Sequence, residues 1–291
     1  MPVVSPELLG ASMVNGLLLG VLYGLAALGL SLIWGIMRVV NLSHGATISL
    51  GMFLTYIFVV SPMSLPLWAG VALSALIGCP LGMLFYGLAV HRVLGGPELS
   101  SLLSTFGLGL VVRGILEERY GGAARTIYSP GGHVVRLFGV SYSYVQLVAV
   151  AVAVAATLAT YLLVYRTWFG RAVRAIIMDK EAAELMGVDT TRILLFSFAL
   201  GVTMAVLSGG LIALIYSFTP LTGLTFELYS FVIVVLGGLG SPIGSLLGGV
   251  IVGLAEQVSA LYIPVALSPM VAFIILIAVL ALRPTGIFGG M

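Results

Sequence analysis

Apolar runs of about 20 residues, the length that carries an α-helix across a hydrocarbon layer roughly 30 Å thick, follow one another along almost all of this 291-residue chain. In lipid every backbone polar group must be satisfied within the protein, which leaves only helices and closed barrels. These runs are apolar on all sides and lack the alternation of barrel strands. The predicted fold is therefore all-α, a polytopic membrane helical bundle. With 8% charged residues and a mean hydropathy of +1.22, the chain is far from the roughly 25% charge of soluble domains. No stretch between runs is long enough for a separate soluble fold, so 1–291 reads as a single transmembrane domain without its own ATPase.

Nine candidate spans lie near Leu8–Trp34, Gly45–Val60, Leu67–Val90, Leu99–Leu116, Tyr144–Tyr165, Ile193–Ser217, Phe226–Leu236, Ile243–Leu261 and Val265–Leu282. The second and seventh are short for a bilayer, which gives about 8–9 transmembrane segments with broken or re-entrant helices. No Lys or Arg precedes the first run, which exceeds a signal-peptide core, so an uncleaved first span is expected. An outside N-terminus places Arg38, Arg92, Arg166, Arg171, Arg174, Lys180, Arg192 and Arg283 in the cytoplasm, against Arg119, Arg125 and Arg136 outside. The C-terminus is then cytoplasmic. The loop Tyr120–Ser143, with those three Arg and His133, falls on the outer face as a connector or a contact for an extracytoplasmic partner.

Small residues recur at every fourth position: Gly16, Gly20 and Gly24; Gly70, Ser74, Gly78 and Gly82; Gly240, Gly244 and Gly248 beside Ser245, Gly249 and Gly253. Such rows let helix backbones approach closely. Between spans seven and eight, Gly237, Gly238, Gly240 and Ser241 precede Pro242, a helix break or re-entrant turn that must be buried or line a cavity. A second polar junction, RVVNLSHG, carries Arg38, Asn41, Ser43 and His44 between two apolar runs. Open backbone and side-chain donors at such a junction suit a translocation pathway for a polar solute. Arg113 and Glu117, four apart on one helix face, suggest an internal ion pair.

Nine of the chain's 12 Lys+Arg and 10 Asp+Glu residues fall between Arg166 and Arg192. Val173, Ile176, Ile177, Leu185 and Met186 are apolar there, and Arg171, Arg174, Lys180, Glu181 and Glu184 are polar. The pattern is that of a short interfacial helix. Three His residues lack metal-ligand spacing, no HExxH, GxSxG or Walker loop occurs, and the lone Cys79 excludes an intrachain disulfide. Neither an enzyme nor a metal site is expected. A net charge of +2 with scattered Arg gives no nucleic-acid surface.

Glu181, Ala182, Ala183 and Gly187 form EAAxxxG, which resembles the cytoplasmic coupling signature of bacterial ATP-binding-cassette importer permeases; SFALG, Ser197–Gly201, stands where that signature ends in IxLP. GLSLIWGIMRVVNLSHG, FGRAVRAIIMDKEAAELMGVD, VVLGGLGSPIGSLLGG and LRPTGIFG, in this order, extend the likeness across nearly the whole chain. Together they resemble branched-chain amino acid permeases of the LivH type. The resemblance implies a second related permease, two cytoplasmic ATPases that bind ATP and Mg, and an extracytoplasmic solute-binding protein, with no cofactor in this chain. It also implies that Arg171, Arg174, Glu181, Ala182, Ala183 and Gly187 seat in an ATPase. Related permeases carry urea, short amides or aromatic acids, so the solute stays open. A stand-alone secondary transporter is the rival class.

Overall fold

The structure is a computed structural model, and it describes residues 5–60, 63–128, 134–137, 140–264, 267–283 and 286. Its spine is α1 (Pro6–Met37), started by the Ser5 hydroxyl, which accepts from the Leu8 amide at 3.3 Å, and by Pro6 in the first turn. At 32 residues it is about 48 Å long, and residues 18–33 are all buried. Around it lie α2 (His44–Val60), α3 (Leu67–Phe85, continued by one π turn, Tyr86–Val90), α4 (Glu98–Tyr120) and α5 (Tyr144–Arg166). After two short surface helices, α6 (Trp168–Met178) and α7 (Lys180–Leu185), come α8 (Thr190–Ala213), α9 (Thr222–Gly237), α10 (Pro242–Ser259) and α11 (Ser268–Leu282).

Six of these helices are long and apolar enough to cross a membrane, while α2, α9 and α11 have 17, 16 and 15 residues. The helical membrane fold is as expected, and the short second and seventh spans are real. Exposed Leu76, Leu84, Leu103, Val111, Leu158 and Ile277 give the bundle the apolar surface that lipid requires.

Glycine rows set the tightest contacts. α1 lies against α10 with Gly16 facing Gly253, Gly20 facing Gly249 and Gly24 facing Ser245; a Cβ at Gly20 would come 2.6 Å from the Gly249 carbonyl oxygen. On the other side, α8 packs on α3, where a Cβ at Gly78 would lie 2.9 Å from Thr203 Cα.

Two expectations change, and the loop Tyr120–Ser143 gains detail: β1 (Val134–Leu137) and β2 (Val140–Ser143) pair antiparallel, with Val134 opposite Ser143. Its His133 lies outside the described residues, as does much of LRPTGIFG. The charged segment is two helices, because Asp179 leaves helical geometry at φ −158° and caps the second by accepting from the Ala182 amide at 3.0 Å. Among the described residues Arg113 and Glu117 form no ion pair. Glu117 is exposed and Arg113 half-buried, and a solvent-screened carboxylate offers little to hold the two long side chains together.

Candidate functional site

The chain leaves α1 through Arg38, which closes the helix in the left-handed region at φ 54° with its amide on the Trp34 carbonyl. The next five residues run back along α1. His44 Nε2 donates to the Ala26 carbonyl at 2.9 Å, so α2 starts beside the middle of α1, eleven residues or about 16 Å above its end. This is a half-helix junction inside the bundle. Thr105 of α4 fixes the strand from one side, its hydroxyl donating to the Val40 carbonyl at 3.0 Å and accepting from the Leu42 amide at 3.2 Å.

Asn41, Ser43 and His44 are all buried there. Asn41 Oδ1 accepts from the Ser43 amide at 3.1 Å and the Ser43 hydroxyl at 2.6 Å, which leaves Asn41 Nδ2 without a partner among the described residues. Because a carbonyl only accepts, an uncharged His44 ring carries its proton on Nε2 and keeps a lone pair on Nδ1, also unpartnered. Leaving two such atoms buried costs about 1–3 kcal/mol each. Glu227, 7% exposed, faces the same helix start: a Cβ at Gly45 would lie 2.6 Å from its Oε2. Its carboxyl oxygens suit the open amides of a helix N-terminus. Ser49, one turn on, accepts from the Gly223 amide and donates to the Pro220 carbonyl, both at 2.9 Å, and so fastens α2 to the start of α9.

The second break lies nearer the end of α1. α9 ends at Gly237, Gly238 and Gly240 take φ of 87° and 82°, and Ser241 starts α10 by accepting from the Gly244 amide at 3.0 Å. Only glycine enters that conformation without a steric cost. Gly237 and Gly238 are buried and Gly240 and Ser241 are partly exposed. The Gly240 amide donates to the Ser31 hydroxyl of α1 at 3.1 Å, and Gly35 packs on Gly240. Both breaks thus meet at the end of α1, where Arg38, Val40 and Leu239 line one cavity of about 610 Å³. A second, of about 380 Å³, runs from Gly35 and Arg38 to Ile177, Asp179 and Lys180.

The charged segment therefore touches the same end of the bundle. α6 turns its inner face, Ala172, Val173 and Ile176, into the core. Half-buried Arg174 donates to the Val164 carbonyl of α5 and lies over the Tyr165 ring at 5.8 Å. Arg171, Glu181 and Ala182 are exposed, Ala183 is buried, and Ile177, Met178, Leu185 and Met186 stand 44%, 87%, 89% and 85% exposed. Gly187, at φ 84°, ends α7 tightly with its amide on the Glu184 carbonyl.

The family model for the branched-chain amino acid transport system permease component matches residues 12–280. The chain belongs to this family. It is 31% identical to the high-affinity branched-chain amino acid transport system permease protein LivH of Salmonella typhimurium, across 95% of this chain and 94% of that one. Identity to the BraD permease of Pseudomonas aeruginosa is 29%, with the same coverage. The LivM permease of Salmonella typhimurium is 28% identical across 81% of this chain and 61% of its own. Membership makes the chain a membrane transport component rather than an enzyme.

Within this permease, sequence reasoning had grouped Arg38, Asn41, Ser43 and His44 apart from Gly237, Gly238, Gly240 and Ser241. α1 brings the two groups to one end of the bundle. Glu227 shares one face of α9 with Gly223 and Ser230, and that spacing is the sign in the sequence that it turns inward. Glu98, beside the larger cavity, had no signal beyond its charge.

Proposed function

We propose that this chain, as one permease domain over residues 1–291, is the membrane-spanning subunit of an ATP-binding-cassette importer for branched-chain amino acids. In this reading it lies in a prokaryotic plasma (inner) membrane with its N-terminus outside. It pairs with a second related permease, takes solute from an extracytoplasmic binding protein and is driven by two cytoplasmic ATPases, which hold ATP and Mg; the chain itself needs no cofactor. The observation that carries this is the α6–α7 segment. Four large apolar side chains stand in the open there beside Arg171 and Glu181, and the same segment lines a cavity with Arg38. An unpartnered apolar patch rimmed by charge suits a protein contact, and its attachment to α5 and α1 carries a push from an ATPase to both helix breaks.

The scarcity of buried charge fits a zwitterion or neutral solute, which helix ends and backbone dipoles can pass without a permanent counterion. Relatives named for branched-chain amino acids favour the zwitterion. The test is uptake of labelled L-leucine into proteoliposomes holding the co-purified subunits and binding protein. Uptake should require ATP and the ATPases; leucine entry without either would sink the reading in favour of a secondary transporter.

A further inference from the structure

The cavity of about 610 Å³ at the end of α1 has a volume within the range of ligand pockets, and its lining is divided by chemistry. Trp34, Leu99, Leu102 and Leu239 supply apolar walls, while Arg38 and Glu98 bring opposite charges. Both charged residues are exposed, and neither forms an ion pair among the described residues, although they line one space. Arg38 is also one of two described non-glycine residues at positive φ, 54°, an uncommon conformation that persists where the surroundings over-determine it. The Thr105 clamp on Val40 and the Gly240 bond to Ser31 hold the two walls nearest it.

We propose that this cavity is a zwitterion site, in which Arg38 takes the anionic end, Glu98 takes a primary ammonium, and the apolar wall takes a short aliphatic chain. A guanidinium matches a carboxylate or phosphate in two parallel hydrogen bonds, and a carboxylate across the cavity accepts from the ammonium. Neither charge alone suits a zwitterion; the separated pair does. The same chemistry is offered by a free amino acid and by a phosphatidylethanolamine headgroup. For the amino acid, the site is the last stop on the path read above and rests on that reading.

The experiment uses the complete transporter in proteoliposomes of phosphatidylcholine alone, with leucine trapped inside as an inhibitor of ATP-driven import. Arg38→Gln and Glu98→Gln should each raise the inhibitory leucine concentration about tenfold or more, and Arg38→Lys should restore much of it. Inhibition by trapped 4-methylpentanoate, which lacks the ammonium, should be lost in Arg38→Gln alone; that by isopentylamine, in Glu98→Gln alone. A parallel set adds phosphatidylethanolamine. If that lipid changes import in the wild type but in neither variant, and trapped leucine does nothing, the zwitterion is the headgroup. If neither ligand responds to either substitution while leucine is still imported, the proposal is overturned. A complex that imports no branched-chain amino acid at all, yet whose ATP hydrolysis changes with phosphatidylethanolamine in the wild type and in neither variant, overturns the substrate reading instead.

Discussion

Asn41 and His44 each reach the interior with one hydrogen-bonding atom unused, and Glu227 sits opposite them on the start of α2. Burial of such groups is tolerated where a neighbour or a passing solute completes them. Glu227 brings carboxyl oxygens to the amides of α2, so Glu227→Ala should destabilise the purified protein by about 1–3 kcal/mol. Glu227→Gln, which keeps the shape and an acceptor oxygen, should lose less. Thermal unfolding of both variants decides it, and an unchanged midpoint in Glu227→Ala would show that the carboxylate holds nothing.

Among the elements, the pair α1 and α10 has the least room. A side chain at Gly249 meets Gly24 Cα at 2.5 Å, and backbone cannot yield as a flexible side chain does. Gly249→Leu should therefore cost about 1–3 kcal/mol or more, read as a lower unfolding midpoint, whereas the same change at Gly107, with open space around it, should cost little. Asp179→Ala removes the cap of α7 and should cost about 1 kcal/mol, seen as faster amide exchange over 180–187. Most of this layer was legible in the sequence. Glycine spacing named the close helix faces, and run length named the short α2 and α9. The α6–α7 division was not, because Ile177 and Met178 continue the apolar pattern up to Asp179 and only its extended backbone shows the break.

For the whole molecule, the importer proposed above would seat its ATPase on the α6–α7 surface. Glu181→Lys and Gly187→Trp should each lower substrate-coupled ATP hydrolysis roughly tenfold, the scale of losing one central contact, with the unfolding midpoint unmoved; normal coupling in both would remove this surface from the mechanism. The site was legible only in pieces, since adjacency between Arg38, Leu239 and Glu98 depends on how far the chain climbs back along α1. That return has a consequence for the height of the barrier to permeation. With α2 beginning beside Ala26, polar backbone extends inward from the end of α1, and Asn41, Ser43 and His44 are buried along it. In the importer proposed above, a solute following that backbone would cross a shorter purely apolar stretch than the roughly 30 Å of a bilayer core. A gate on that path would then need to seal only the apolar part that remains.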